Sequence, residues 1–306
     1  MASPGADILW TAAWPFQKLP LGFHYFWGRV FAFIARDILH YRRDVIVQNL
    51  SRAFPEKGYK EIRRLADRAY DHMGQIFAEA MWFGGCRGDV SRLMKQDICR
   101  YESVSELMDA YQSRPGVVVL NSHLGNWELT GGCVEYAYDC PSEKYPRGTV
   151  DPDTVCVVYK KMKSKAIDGF MAKNRCSAIP AFKGYVETYD VLRYAISRKG
   201  EKNLYVFPTD QFPYKGTSRC EIPSFMGQPT KSMTGAAAIA RKFGYAVFYL
   251  AIARKSRGKY SARFVKITDD ASGTSPEAIM TKFYSLLEED IKADPANYLW
   301  SHKRWK

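Results

Sequence analysis

"VVVLNSHLGNWEL", Val117 to Leu129, decides how the chain is read. The run Val117–Leu120 follows the turn pair Pro115-Gly116 and is apolar at every position. Short, β-branched and without alternation, it fits a strand covered on both faces. It ends abruptly in Asn121, Ser122 and His123, and Glu128 stands five residues after the histidine. In open α/β sheets ligands bind beyond the carboxyl ends of the strands, so these residues fall where a site is expected.

The neighbouring segments support that sheet. Apolar strands are expected at Thr154–Tyr159, Asn203–Phe207, Ala246–Ala253 and Tyr260–Ile267. Helical periodicity marks 37–52, 59–83, Ser103–Gln112, Trp127–Tyr138, Ser164–Asn174, Glu187–Arg198, Ser232–Phe243 and Pro276–Ile291. Ser103 with Glu106 three residues on reads as a capping box, and Pro208–Thr230 as a long loop. Strands alternating with helices predict an α/β fold, with a mixed, largely parallel sheet flanked by helices.

Polar residues recur after three of these strands: Asn121, Ser122, His123 and Glu128; then Lys160, Lys161 and Lys163; then Asp210 and Gln211. The spacing of His123 and Glu128 is informative. Five residues apart on one helix, two side chains diverge by about 140°. With His123 in the strand–helix loop and Glu128 in the first helical turn, the two meet. Gly125 permits a tight turn and Asn126 is a candidate helix N-cap. The expectation is a general base, His123, held in one tautomer by Glu128. The nucleophile elbow G-x-S-x-G is absent, which argues against a covalent serine hydrolase and for attack by an external hydroxyl.

Composition limits the partners. The chain has 306 residues, 46% hydrophobic and 25% charged, which is globular and not disordered. A formal charge of +13 points to an anionic partner (nucleic acid, an anionic membrane surface, or an acidic protein or substrate) or else to a basic solvated surface. No RNP-type aromatic motif, helix-turn-helix pattern or zinc-finger spacing supports nucleic acid. Seven cysteines without a C-x-x-C pair read as reduced thiols facing cytosol, with no zinc site. Residues 8–39, "ILWTAAWPFQKLPLGFHYFWGRVFAFIARDIL", are rich in aromatics but broken by Pro15, Pro20, Lys18, Arg29 and Arg36. They lack about 20 uninterrupted apolar residues and so do not read as a membrane-crossing helix. Either the segment lies in a membrane interface, or it packs on the rest of the chain. The domain reading is residues 1–40 as an aromatic membrane-associating segment and 41–306 as one α/β domain.

Six blocks in order resemble the lipid A biosynthesis acyltransferases, the lauroyl and myristoyl transferases of the lysophospholipid acyltransferase-like superfamily. They are "HYRRDVIVQNLSRAFPEK", "NSHLGNWEL" with its H-x4-E, "VVYKKMKSKAIDGFMAKNR", "FPTDQ", "PSFMGQPTKSMTGAAAIARKFGYAVFYLAIAR" and "DPANYLWSHKRWK". The resemblance implies a glycerolphosphate-acyltransferase-like fold on the cytoplasmic face of the cell inner membrane. It implies transfer of an acyl group from acyl carrier protein or acyl-CoA to a hydroxyl of a lipid A precursor. A lysophospholipid, aminolipid or glycolipid is the alternative acceptor. No metal and no cofactor are implied. His123 is then the base and Glu128 its orienter. Asn126, Lys160, Arg175, Asp210 and Gln211 are substrate-binding positions, with Asp210 expected to position the basic block or the substrate. Oxyanion donors are expected from backbone N–H groups after Gly125 or from Lys160. The family's arginine after Tyr159 is Lys160 here, which keeps the charge and loses the bidentate fork.

Overall fold

The computed structural model describes residues 3–130 and 150–306. The helices are α1 (Pro4–Gln17), α2 (Leu21–Phe33), α3 (Arg43–Ala53), α4 (Tyr59–Phe83), α5 (Ser91–Gln96), α6 (Val104–Ser113), α7 (Lys165–Arg175), α8 (Val191–Ser197), α9 (Gly235–Phe243) and α10 (Pro276–Ala293). The strands are β1 (Cys99–Glu102), β2 (Gly116–Asn121), β3 (Val155–Tyr159), β4 (Tyr185–Glu187), β5 (Asn203–Pro208), β6 (Arg219–Phe225), β7 (Gln228–Met233), β8 (Ala246–Ser256) and β9 (Lys259–Thr268).

Seven strands form one sheet in the order β1-β9-β8-β2-β5-β3-β4. Every neighbouring pair is parallel except β8 with β9. The mixed, mostly parallel α/β architecture expected from the strand types is therefore present. β2 lies at the centre and is buried along its whole length. Val118 and Leu120 pack on one face with Tyr205, Phe207, α9 and α10, and Val117 and Val119 pack on the other with α6, Leu204 and Phe248. Each such side chain contributes about 1.5–3 kcal/mol. That is why no polar alternation is visible in VVVL.

Several local expectations need correction. Ser103 has φ 55° and makes no side-chain cap, so the capping box with Glu106 does not form; an N-cap serine needs extended backbone to reach the helix N–H groups. The helix expected from residue 37 begins at Arg43, after a π-turn at Ile34–Ile38. Glu187 ends the short strand β4, and the helix follows only at Val191. Part of the expected loop Pro208–Thr230 is the antiparallel β6–β7 hairpin, which runs through to Met233, so α9 starts at Gly235. Beyond Asn126 the chain makes a 3-10 turn, Trp127–Thr130. The rest of the helix expected to Tyr138 lies outside the described residues. β1 and α5 carried no strong period and went unexpected.

α1 packs on α7, and α2 lies along α4. Much of the aromatic segment remains exposed: Phe16 at 58%, Phe26 at 54%, Trp27 at 49% and Phe33 at 52%. Among the described residues no helix is long and apolar enough to cross a membrane. Cys86, Cys99, Cys156, Cys176 and Cys220 are not joined in disulfides.

Candidate active site

The site is built by strand register. β2 and β5 pair with Asn121 opposite Pro208, and Thr209 N–H continues the ladder to Asn121 O at 3.0 Å. Two residues past that pair on each chain stand His123 and Asp210. The His123 Nδ1–H donates to Asp210 Oδ1 at 2.7 Å, and the His123 backbone N–H donates to Asp210 Oδ2 at 2.9 Å. A carboxylate only accepts, so this contact puts the proton on Nδ1 and leaves the Nε2 lone pair open. Nε2 accepts from Gln211 Nε2–H at 3.1 Å, and Gln211 Oε1 accepts from Tyr214 O–H at 3.1 Å. Trp127 stands edge-on to the imidazole, ring centroids 4.7 Å apart.

Glu128 is engaged elsewhere, which corrects its expected role as orienter. Its two oxygens accept from Arg175 Nε and Nη2, both at 2.7 Å, and from Trp127 Nε1 at 3.1 Å. A guanidinium fork matches both carboxylate oxygens at once, a fit no imidazole offers. Arg175 is the last residue of α7, whose N-terminus is capped by Ser164. The Glu128 side chain is 8% exposed and that of Arg175 23%.

Electrostatics follow from these contacts. Burial favours neutral His123, but the Asp210 charge and hydrogen bond, with Glu128 behind them, outweigh it and raise the imidazole above its ordinary value. Burial pushes Asp210 and Glu128 up. The paired His123 overcomes this for Asp210, and Arg175 for Glu128, so both carboxyls end below the usual range.

The loop is held from every side. Gly125 has φ +67°, and a Cβ there would lie 2.4 Å from Ile252 Cγ2, so only glycine fits. Its N–H donates to Asn297 O at 2.7 Å, and Leu299 N–H donates to His123 O at 3.1 Å. His72 Nε2–H donates to Gly125 O at 3.3 Å; burial lowers that ring to about 4, keeping it neutral.

A cavity of about 350 Å³ opens at His123. Glu128, Arg175, Lys160, Gln211 and Tyr214 line its polar part, and Leu107, Met108, Val119, Leu250 and Phe264 are among its apolar walls.

A family model of bacterial lipid A biosynthesis acyltransferases matches residues 7–306. The chain belongs to that family. It is an acyltransferase. The lipid A biosynthesis palmitoleoyltransferase of Escherichia coli (strain K12) is 23% identical over 307 residues, covering 99% of this chain and 90% of the relative. A lipid A biosynthesis acyltransferase of Shigella flexneri matches with the same identity and coverage.

In this acyltransferase His123, Gln211 and Lys160, which follow strands, line the cavity together with Arg175 from the end of α7, while Asp210 is buried behind the imidazole. Asn126 does not face it. Its side chain is 1% exposed, donates to Glu79 Oε2 at 2.7 Å and accepts from Glu128 N–H at 3.2 Å. The expected N-cap contact is there, and the side chain expected to bind substrate is buried away from the cavity lining. Lys160 donates to Glu187 at 3.2 Å and lies over the Tyr189 ring at 3.8 Å. Of the backbone N–H groups after Gly125, those of Glu128 and Leu129 are taken by Asn126 Oδ1 and Asn126 O. Glu79, His72 and Asn297 went unnoticed in the sequence; each joins the loop from a distant segment, with no spacing to betray it.

Proposed function

We propose that this acyltransferase moves a fatty acyl group from a carrier-protein or coenzyme A thioester to a hydroxyl of a lipid A precursor by direct attack. The observation that carries this reading is the Asp210–His123 pair at the mouth of an apolar cavity. The cavity holds the acyl chain, with the thioester carbonyl beside His123. The acceptor hydroxyl displaces the Gln211 amide from His123 Nε2 and gives its proton to that nitrogen as its oxygen bonds the carbonyl carbon. Asp210 stabilises the imidazolium that forms. Lys160 and Arg175, the cations lining the cavity, face the oxyanion. Collapse breaks the C–S bond, and the thiolate takes the proton back from His123. Atoms and charge balance without a cofactor.

The exposed aromatic face of α1 and α2, with Lys18, Arg29 and Arg36 nearby in sequence, supports a segment lying in the cytoplasmic interface of the inner membrane. The charge of +13 suits an acidic carrier protein and phosphorylated lipid.

Mass spectrometry of lipids from a deletion strain tests the acceptor. Loss of one acyl chain from lipid A is expected. An intact lipid A with another acylated lipid missing moves the same chemistry to a lysophospholipid, aminolipid or glycolipid. The Lys160–Glu187 pair favours that second reading, because it neutralises the cation at the family's arginine position.

The pH profile tests the base. His123 works neutral, so kcat/KM rises with pH through its pKa. Because Asp210 raises that pKa, the acid limb is expected above the ordinary histidine value of about 6.5. A limb at or below that value counts against His123 as the base.

A further inference from the structure

Glu79 sits near the C-terminal end of α4 and is 0% exposed. Burying a carboxylate costs several kcal/mol unless it is well bonded. Here one oxygen accepts from Asn126 Nδ2 at 2.7 Å, and the other from Tyr25 O–H at 2.7 Å and Gln75 Nε2 at 2.9 Å. Gln75 Nε2 also donates to the Tyr260 hydroxyl oxygen at 2.9 Å, and the Tyr260 hydroxyl in turn hydrogen-bonds Glu79. Three elements thus meet on one carboxylate: the aromatic helix α2, strand β9 and the His123 loop.

The loop end of this network decides its meaning. Asn126 lies between His123 and Glu128, and its Oδ1 holds the Glu128 N–H. Glu79 therefore fixes the side chain that sets how the loop turns between the base and the carboxylate. One residue earlier, His72 of the same helix holds the Gly125 carbonyl. α4 grips two successive loop residues.

The other end reaches α2. Its backbone touches that of α4: a Cβ on Gly28 would lie 2.4 Å from Gly74 O, and one on Gly74 2.2 Å from Gly28 O. Ala32 and Ala78 extend the small-residue seam. Tyr25, one turn before Gly28, is held by this contact against Glu79. Gly258 makes room for it, since a Cβ there would lie 2.4 Å from the Tyr25 hydroxyl oxygen.

We propose that Glu79 is a positioning residue for the His123 loop and that Tyr25 extends this positioning to α2, making the aromatic helix part of the catalytic machinery as well as a lipid-facing surface. The proposal rests on His123 being the base. Its closing experiment keeps the two apart through His123→Ala.

Full-length protein is assayed in detergent, so that membrane binding is not the variable. Thiol release is followed from an acyl-carrier-protein thioester with the deletion strain's lipid extract as acceptor. Glu79→Gln is expected to lower kcat about 10- to 100-fold, the size of a sub-ångström to one-ångström misplacement, with KM changed less than about twofold. Asn126→Asp, which sets two carboxylates face to face, is expected to do the same. The exchange Glu79→Gln/Asn126→Asp restores one donor and one acceptor and is expected to recover kcat to within about fivefold of the parent. A merely structural loss would not be rescued. If Glu79→Gln does not accumulate folded, Tyr25→Phe reads the same network with one hydroxyl removed, at about 3- to 10-fold in kcat; Ile196→Ser, at an exposed position on α8 away from the cavity, is its control and leaves kcat in detergent unchanged. The proposal is overturned if the folded variants turn over like the parent while His123→Ala is inactive, or if the exchange recovers nothing. Turnover retained by His123→Ala overturns the base assignment instead.

Discussion

Asp210→Asn is expected to cost turnover nearly as much as His123→Ala, about 10²–10⁴-fold in kcat, with the fold preserved. Asp210 takes two N–H donors from one residue, the ring and the backbone of His123. An asparagine has one acceptor oxygen and one NH₂. If the NH₂ faces the ring, Nδ1 must become the acceptor, the proton moves to Nε2 and no base remains. If it faces the backbone, two donors oppose each other in a buried site. Either arrangement also loses the negative charge that stabilises the imidazolium. The double variant is expected to be little worse than either single one, because the two residues act as a unit. Steady-state kinetics beside a thermal melt check this. An Asp210→Asn enzyme with folded-state stability and turnover like the parent sinks the dyad.

Glu128→Ala tests the other carboxylate, and here the expected loss is in stability first. An orienter of His123 could be removed with the fold intact. A carboxylate that binds both arms of Arg175 cannot, because its removal leaves a largely buried guanidinium without its partner. Breaking such a pair costs about 3 kcal/mol or more. Arg175→Ala is expected to cost a similar amount, and the double variant less than the sum. Denaturant unfolding measures this. Additive losses, or a Glu128→Ala chain as stable as the parent, contradict the ion pair. Since Arg175 depresses the Glu128 carboxyl, the pair's contribution is fully present at neutral pH. It is lost as the pH falls below the ordinary glutamate range through the lowered value. Activity is expected to fall with it, because Glu128 and Trp127 shape the cavity wall beside His123.

The central strand, the mostly parallel sheet and the place of the site could be read from short range alone. Apolar runs end in polar residues at one sheet edge, and a covered strand shows no alternation. The β6–β7 hairpin escaped notice although its strands partly alternate exposed and buried residues, because Pro223, Gly227 and Pro229 punctuate the stretch as they would a loop. Ser103 looked like a cap because residue type is local, whereas its φ is imposed by the packed turn.

By itself the sequence determined that the apolar run ends at Leu120, that His123 follows shortly after it, and that glycine is available at 125 for a backbone other residues resist. Only the tertiary structure decided which carboxylate holds the imidazole. Glu128 is five residues away and Asp210 is 87, yet pairing Asn121 with Pro208 carries Asp210 to the ring. Glu128 is captured by the guanidinium that α7 delivers. Strand register and the geometric match of a fork to a carboxylate are long-range properties, so no spacing within "NSHLGNWEL" could have held them.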